Sequence, residues 1–117
     1  MMITLGTGIG SAMFINGQLV PNTEFGHIEM DGVDAERLAA TVIRERENLS
    51  WEEWGARVNK YLQLMEYLLS PDCIIIGGGV SANPEKFFPF IDLKTELVPA
   101  KMGNNAGIIG AALGINY

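Results

Sequence analysis

The sequence predicts a mixed-sheet α/β domain, an antiparallel strand group followed by parallel βα units with helices on both faces. Three observations predict it. Thr4-Leu5-Gly6-Thr7-Gly8-Ile9-Gly10-Ser11 is a strand end that breaks into three alternating glycines and then resumes as a strand. A long helical stripe begins at Ser50 behind a clear start signal. Cys73-Ile74-Ile75-Ile76 is a short, fully apolar run, the pattern of a central parallel strand buried on both faces.

Length and composition set the outer limits. A chain of 117 residues, 48% of them hydrophobic, is one domain with a modest core. The net charge of −6, from 14 acidic and 8 basic residues without a Lys/Arg cluster, offers nucleic-acid phosphates nothing to bind, so no nucleic-acid partner is expected. One cysteine, Cys73, permits neither an internal disulfide nor a Cys-rich zinc site and fits a reducing cytoplasm. No apolar run approaches the ~20 residues of a membrane span, and the N-terminus has no basic secretory region. The expectation is a cytoplasmic protein with no membrane partner. Met2-Ile3-Thr4-Leu5 reads as the second half of a strand, so an upstream part is expected to be missing.

Gly6, Gly8 and Gly10 leave backbone N–H groups uncovered and permit positive φ, which suits either a phosphate cradle or a tight strand-to-strand turn. A dinucleotide fingerprint would place a glycine where Ser11 stands and then open a helix, and a P-loop would need Gly-Lys-Ser/Thr. Instead Ala12-Met13-Phe14-Ile15, Asn16-Gly17 and Gln18-Leu19-Val20 read as a hairpin with a type I′ turn. In Pro21-Asn22-Thr23-Glu24-Phe25-Gly26-His27, the glycine allows Glu24 and His27 to turn toward one small volume. Such a pair can hold sugar hydroxyls, or it is a turn with an exposed Glu and a backbone-satisfied His. His27 is the only histidine, and no metal site is read from the sequence.

From Asp34 the period becomes helical. Ala35, Leu38, Ala39, Val42 and Ile43 form the stripe, with Asp34 as N-cap and Val33 and Leu38 as a hydrophobic staple. Glu36 in the first turn either complements the helix dipole or points into the Glu24/His27 volume. A charged run, Arg44-Glu45-Arg46-Glu47-Asn48, closes this helix. Ser50 and Glu53 form a capping box for the next one, whose stripe is Trp51, Trp54, Val58, Tyr61, Leu62, Met65, Leu68 and Leu69, ending at Ser70-Pro71.

After the buried strand, Gly77-Gly78-Gly79 stands at its carboxyl end, where open α/β sheets bind ligands; it is a purine or ribose platform or a flexible connection. Asn83-Pro84 opens a short helix with Phe87 and Phe88, and Leu97-Val98-Pro99-Ala100 reads as an edge strand. Small residues over 106–112 predict a close-packed final helix stopped at Gly114.

The ordered motifs resemble the C-terminal domain of the ROK family of sugar kinases and repressors, on its polyphosphate glucokinase side. The resemblance covers nearly the whole chain. It implies a ribonuclease H-like, actin/hexokinase-like fold. Leu5-Gly6-Thr7-Gly8-Ile9-Gly10-Ser11 is similar to the family's second phosphate loop, which implies that Gly6, Thr7, Gly8 and Gly10 hold donor phosphates. Glu24-Phe25-Gly26-His27 is similar to its Glu-x-Gly-His sugar segment, so Glu24 and His27, with Glu36 in the next helix, are implied hydroxyl ligands. Ile76-Gly77-Gly78-Gly79-Val80-Ser81 resembles the nucleotide- or polyphosphate-side loop, and Asn105-Ala106-Gly107-Ile108-Ile109-Gly110-Ala111-Ala112 the terminal helix.

Two departures shape the expectation. Many members carry a Cys-x-Cys-Gly zinc segment after the Gly-His; here Met30-Asp31-Gly32-Val33-Asp34-Ala35-Glu36 contains no cysteine, which implies no structural zinc and suits the polyphosphate-using branch. The family's Asp-x-Gly-Gly-Thr phosphate loop and its general-base aspartate in an Asn-Asp context do not occur in this sequence. The resemblance thus implies the C-terminal half of a glucokinase that takes phosphate from polyphosphate or ATP with Mg2+, acts on glucose or a similar hexose, and dimerises, without turnover by itself. The alternative is a non-catalytic sugar-binding or dimerisation module; no helix-turn-helix or basic segment supports a repressor.

Overall fold

A computed structural model describes residues 1–100; the helix expected over 106–112 and its Gly114 stop lie outside the described residues. The chain begins with β1 (Met2–Leu5) and β2 (Ile9–Ala12), an antiparallel pair that sets Leu5 opposite Ile9 and Met2 opposite Ala12. The alternation of β1 buries Ile3 and Leu5 on one face and leaves Thr4 on the other. β3 (Phe14–Ile15) and β4 (Gln18–Leu19) form the expected hairpin, and Asn16 and Gly17 have φ of 53° and 77°, the two positive values of a type I′ turn.

A single 3₁₀ turn, Phe25–His27, follows, and then β5 (Glu29–Met30) and β6 (Val33–Asp34) form a second hairpin. Its turn residues Asp31 and Gly32 again have positive φ, 55° and 86°. This hairpin corrects the reading of Asp34 as a helix N-cap: Asp34 pairs with Glu29, Ala35 precedes the helix, and Val33 is exposed rather than stapled to Leu38. The helix itself is two pieces, α1 (Glu36–Ala39) and α2 (Thr41–Arg46), because Ala40 is extended with φ −62° and ψ 150°. The break has a visible cause. The buried Trp54 indole Nε1–H donates to the Ala39 and Ala40 carbonyls at 3.0 and 3.2 Å, so those carbonyls are turned toward the next helix. The Val42 N–H, in the first turn of α2, donates to the Gly6 carbonyl at 3.1 Å and ties α2 to the glycine loop.

α3 (Trp51–Leu69) starts at the expected capping box, with the Ser50 hydroxyl accepting from the Glu53 N–H at 3.0 Å and the Glu53 carboxylate from the Ser50 N–H at 2.9 Å. The Ser50 N–H, and after it the Ser50 hydroxyl, acting on the Glu53 carboxylate hold that carboxyl below its ordinary pKa. Trp54, Val58, Tyr61, Leu62 and Met65 are buried as the stripe predicts, whereas Leu68 is exposed. β7 (Cys73–Gly77) runs parallel to β1, and β8 (Glu96–Pro99) runs parallel to β7. The sheet order is therefore β2-β1-β7-β8, with Pro99 on the edge strand, where its missing N–H is tolerated. Ile74, Ile75 and Ile76 are all buried, so both faces of β7 are covered as expected. The helix expected after Asn83-Pro84 is instead two 3₁₀ turns, Pro84–Lys86 and Phe88–Phe90. Pro89 has no N–H to continue a helical ladder, and the Phe87 ring is buried edge-on against Trp54, at 5.2 Å between centroids.

The site-bearing loops are locked to this frame by backbone packing. Phe25–His27 lies against β2: the Ser11 hydroxyl accepts from the Phe25 N–H at 3.0 Å, the Tyr61 hydroxyl donates to the Phe25 carbonyl at 3.0 Å, and a Cβ on Gly26 would strike the Ile9 carbonyl oxygen. Gly26→Ala is therefore expected to cost about 3 kcal/mol in urea unfolding, whereas Gly6→Ala, with nothing within 4 Å of the added carbon, should shift the midpoint little. Trp54→Phe, which leaves the Ala39 carbonyl without its indole donor, should cost about 2 kcal/mol in the same measurement.

Candidate functional site

A groove of about 340 Å³ opens where the β1–β2 loop, the first turn of α1 and the carboxyl end of β7 meet. It is lined by Thr4 to Gly10, Glu36, Gly78 and Gly79, so three motifs far apart in sequence share one volume. The loop is built by its own hydrogen bonds. The Gly6 N–H donates to the Gly8 carbonyl at 3.0 Å, and the Ile9 N–H donates to the Glu36 carboxylate Oε1 at 3.1 Å. These two amides are spent on the loop, while the Thr7 and Gly8 N–H groups meet no acceptor among the described residues. Two adjacent uncovered amides at an open groove can receive an anion's oxygens.

The reason for glycine here differs from the one expected. Gly6, Gly8 and Gly10 do not adopt positive φ. Close approach explains two of them: a Cβ on Gly8 would lie 2.6 Å from Glu36 Oε1, and one on Gly10 would strike the Thr4 hydroxyl. Gly78 does need its freedom, with φ of 94° and no room for a Cβ against the Leu5 carbonyl. The Ser81 N–H and hydroxyl both donate to the Gly78 carbonyl, at 3.0 and 2.7 Å, and hold this turn over the end of β1. Gly78 and Gly79 are exposed to the groove, but Gly77 is a buried β7 residue paired with Thr4 and lies outside the lining.

Glu36 joins this groove to His27. Its Oε2 is 3.6 Å from His27 Nδ1, while its Oε1 holds the Ile9 N–H. Of the two readings open for Glu36, dipole partner or site residue, the geometry gives it contacts in both the loop and the His27 volume. His27 Nδ1 also lies 3.1 Å from Asp34 Oδ2, and the side chains of His27, Asp34 and Glu36 are 56%, 46% and 30% exposed. Glu24 is exposed, makes no hydrogen bond with the described residues through its side chain, and does not line the groove. The nearby Tyr61 phenol is pushed well above its ordinary pKa, first by burial and then by the Glu36 charge, so it stays a neutral donor to the Phe25 carbonyl.

Sequence reasoning missed Asp34. The signal was present: Asp31-Gly32 is a type I′ hairpin dipeptide, and a hairpin there returns Asp34 beside the His27 turn. One ligand atom each from His27, Asp34 and Glu36 lies within 4.8 Å of the others, a spacing that one divalent ion could bridge. His27 and Asp34 are half exposed, Glu36 is partly buried, and His27 Nδ1 already has Asp34 as its partner.

No family model matches the chain. Among curated proteins it is 44% identical over 112 residues to the polyphosphate glucokinase of Mycobacterium tuberculosis (strain ATCC 25618 / H37Rv), covering 96% of this chain and 42% of that protein. It is 43% identical over 112 residues to the polyphosphate glucokinase of Mycobacterium leprae (strain TN), covering 96% of this chain and 35% of that protein. The chain thus spans less than half the length of these relatives. Among solved structures, the inorganic polyphosphate/ATP-glucomannokinase of Arthrobacter sp. strain KM superposes with a TM-score of 0.86 at 50% identity, over 97% of this chain and 45% of that one. A ROK hexokinase from Thermus thermophilus, at 22% identity and a TM-score of 0.74 over 96% of this chain and 56% of that one, shares the fold. The chain is homologous to the C-terminal part of the polyphosphate glucokinases and has the mixed-sheet, actin/hexokinase-like fold of the ROK-family sugar kinases.

Proposed function

We propose that the chain is the sugar- and phosphate-holding part of a glucokinase, which moves a phosphoryl group from polyphosphate or ATP to a hydroxyl of glucose or a similar hexose. The observation that carries this reading is the groove in which the uncovered Thr7 and Gly8 amides stand next to the Glu36 carboxylate. Amides favour a phosphate, whereas a carboxylate at the same place repels one and accepts hydrogen bonds from hydroxyls. A phosphoryl group meeting a polyol satisfies both sides. Gly6, Thr7, Gly8 and Gly10 then hold the transferring phosphates, Glu36 and His27 orient the sugar, Glu24 joins them from the loop rim when the sugar is bound, and Gly78 and Gly79 face the rest of the donor. Mg2+ carried with the donor supplies neutralising charge.

Such a transfer forms a bond between the sugar oxygen and the phosphorus, breaks the bond from phosphorus to the donor oxygen, and needs a base for the hydroxyl proton. The Asp-x-Gly-Gly-Thr and Asn-Asp motifs that the resemblance assigns to donor binding and to that base do not occur in these residues. Binding without turnover by the 117-residue chain is therefore part of the proposal, and it is also what a non-catalytic sugar-binding module would show. A cytoplasmic homodimer is the setting that the family resemblance implies.

Joining this chain to the N-terminal part of the M. tuberculosis relative separates these readings. The expected joined protein makes glucose 6-phosphate from polyphosphate or ATP, the 117-residue chain makes none, and Glu36→Gln in the joined protein lowers kcat/KM for glucose by about 10-fold to 100-fold. An active joined protein indifferent to both Glu36→Gln and His27→Ala would overturn the sugar-site assignment. An inactive one that still binds glucose would favour the module.

A further inference from the structure

We infer that Asp34 is a positioning residue for His27: its carboxylate accepts the Nδ1–H hydrogen bond, fixes the neutral imidazole in the Nδ1–H tautomer, and leaves Nε2 as a hydrogen-bond acceptor. An ionised carboxylate has no proton to give, so a neutral imidazole 3.1 Å from Asp34 Oδ2 makes that contact only by donating from Nδ1. The second carboxylate near the same nitrogen, Glu36 Oε2 at 3.6 Å, acts in the same direction, because an unprotonated Nδ1 would turn its lone pair toward two anionic oxygens. Glu36 cannot replace Asp34 freely, since its other oxygen is committed to the Ile9 N–H.

Both partners stand on fixed backbone. Asp34 is held in the β5–β6 ladder opposite Glu29, and the next residue's N–H donates to the Ile28 carbonyl at 2.8 Å. His27 ends the turn that Ser11, Tyr61 and the close packing of Gly26 on Ile9 secure. The Lys60 ammonium pairs with Asp31, in the turn of the same hairpin. The tautomer of a histidine is set by the bond its other nitrogen makes, so Asp34 determines what Nε2 offers a ligand. That the ligand is a sugar hydroxyl, donating its proton to Nε2, rests on the function proposed above.

His27 is the chain's single histidine, so its two ring nitrogens can be followed in the intact 117-residue chain by long-range ¹H–¹⁵N NMR with labelled histidine, above the pH at which the ring protonates. The expected spectrum shows Nδ1 protonated and Nε2 bare as the major form. Asp34→Ala should move the population toward the Nε2–H form favoured by a solvated imidazole, Asp34→Glu should restore part of the Nδ1–H form, and the circular dichroism of both should match that of the unaltered chain. An unaltered chain with Nε2 protonated, or an Asp34→Ala spectrum identical to it, overturns the inference; if Asp34→Ala fails to fold, the unaltered chain's spectrum alone decides. Glucose added to the same sample should shift Nε2. A bare Nε2 that glucose leaves unmoved would sustain the role of Asp34 and overturn the sugar role of His27.

Discussion

The Glu36 carboxylate, lodged between the Ile9 N–H and the bare face of Gly8, is the contact on which the rest of the site depends. It joins the first turn of α1 to the β1–β2 loop, and the adjoining bond from the Val42 N–H to the Gly6 carbonyl joins α2 to the same loop. The loop is thereby shaped by two helices as well as by its own strands. A Cβ at Gly8 would stand 2.6 Å from Glu36 Oε1 and oblige the carboxylate to shift, so glycine at this position serves contact between elements rather than backbone conformation. The same carboxylate reaches His27, which places the loop and the 25–27 turn in one electrostatic neighbourhood.

That arrangement also restricts the chemistry. Amides alone would describe a general anion site, and carboxylates with a histidine alone would describe a polyol or cation site. Here the Thr7 and Gly8 amides and the Glu36 carboxylate share one small groove, and Glu36 connects that groove to His27 outside its lining. The proposed reactants, a phosphate meeting a sugar, present both features at once. The close structural match to a polyphosphate/ATP-glucomannokinase is consistent with that chemistry without transferring its substrates to this chain.

Much of the fold was legible because local signals and tertiary demands agreed. The capping box at Ser50 and Glu53, the Asn16-Gly17 turn and the apolar Cys73–Ile76 run each had one structural solution, and each formed. The errors fell where a distant partner overrode a local pattern. Residues 35–43 carry a continuous helical period, yet the Trp54 indole draws the Ala39 and Ala40 carbonyls and breaks the helix at Ala40. Asn83-Pro84 suggested a short helix carrying Phe87 and Phe88, but Pro89 interrupts the ladder and burial of Phe87 against Trp54 accompanies two short turns instead. Within the site, the glycines and Glu36 were visible as types, whereas Gly77 was placed one residue too far into the groove and Asp34 was hidden behind a helix-cap reading. A cap and a hairpin strand both suit aspartate, and only the Asp31-Gly32 turn distinguishes them.

The most direct measurement of the central claim is an amide ¹H–¹⁵N map of the 117-residue chain titrated separately with tripolyphosphate and with glucose. Tripolyphosphate is expected to shift the Thr7 and Gly8 amides first, and glucose to shift resonances of His27, Glu36 and the Ile9 amide bonded to Glu36. Saturating titrations that leave the Thr7 and Gly8 amides unmoved, or glucose shifts confined to residues away from His27 and Glu36, would contradict that claim.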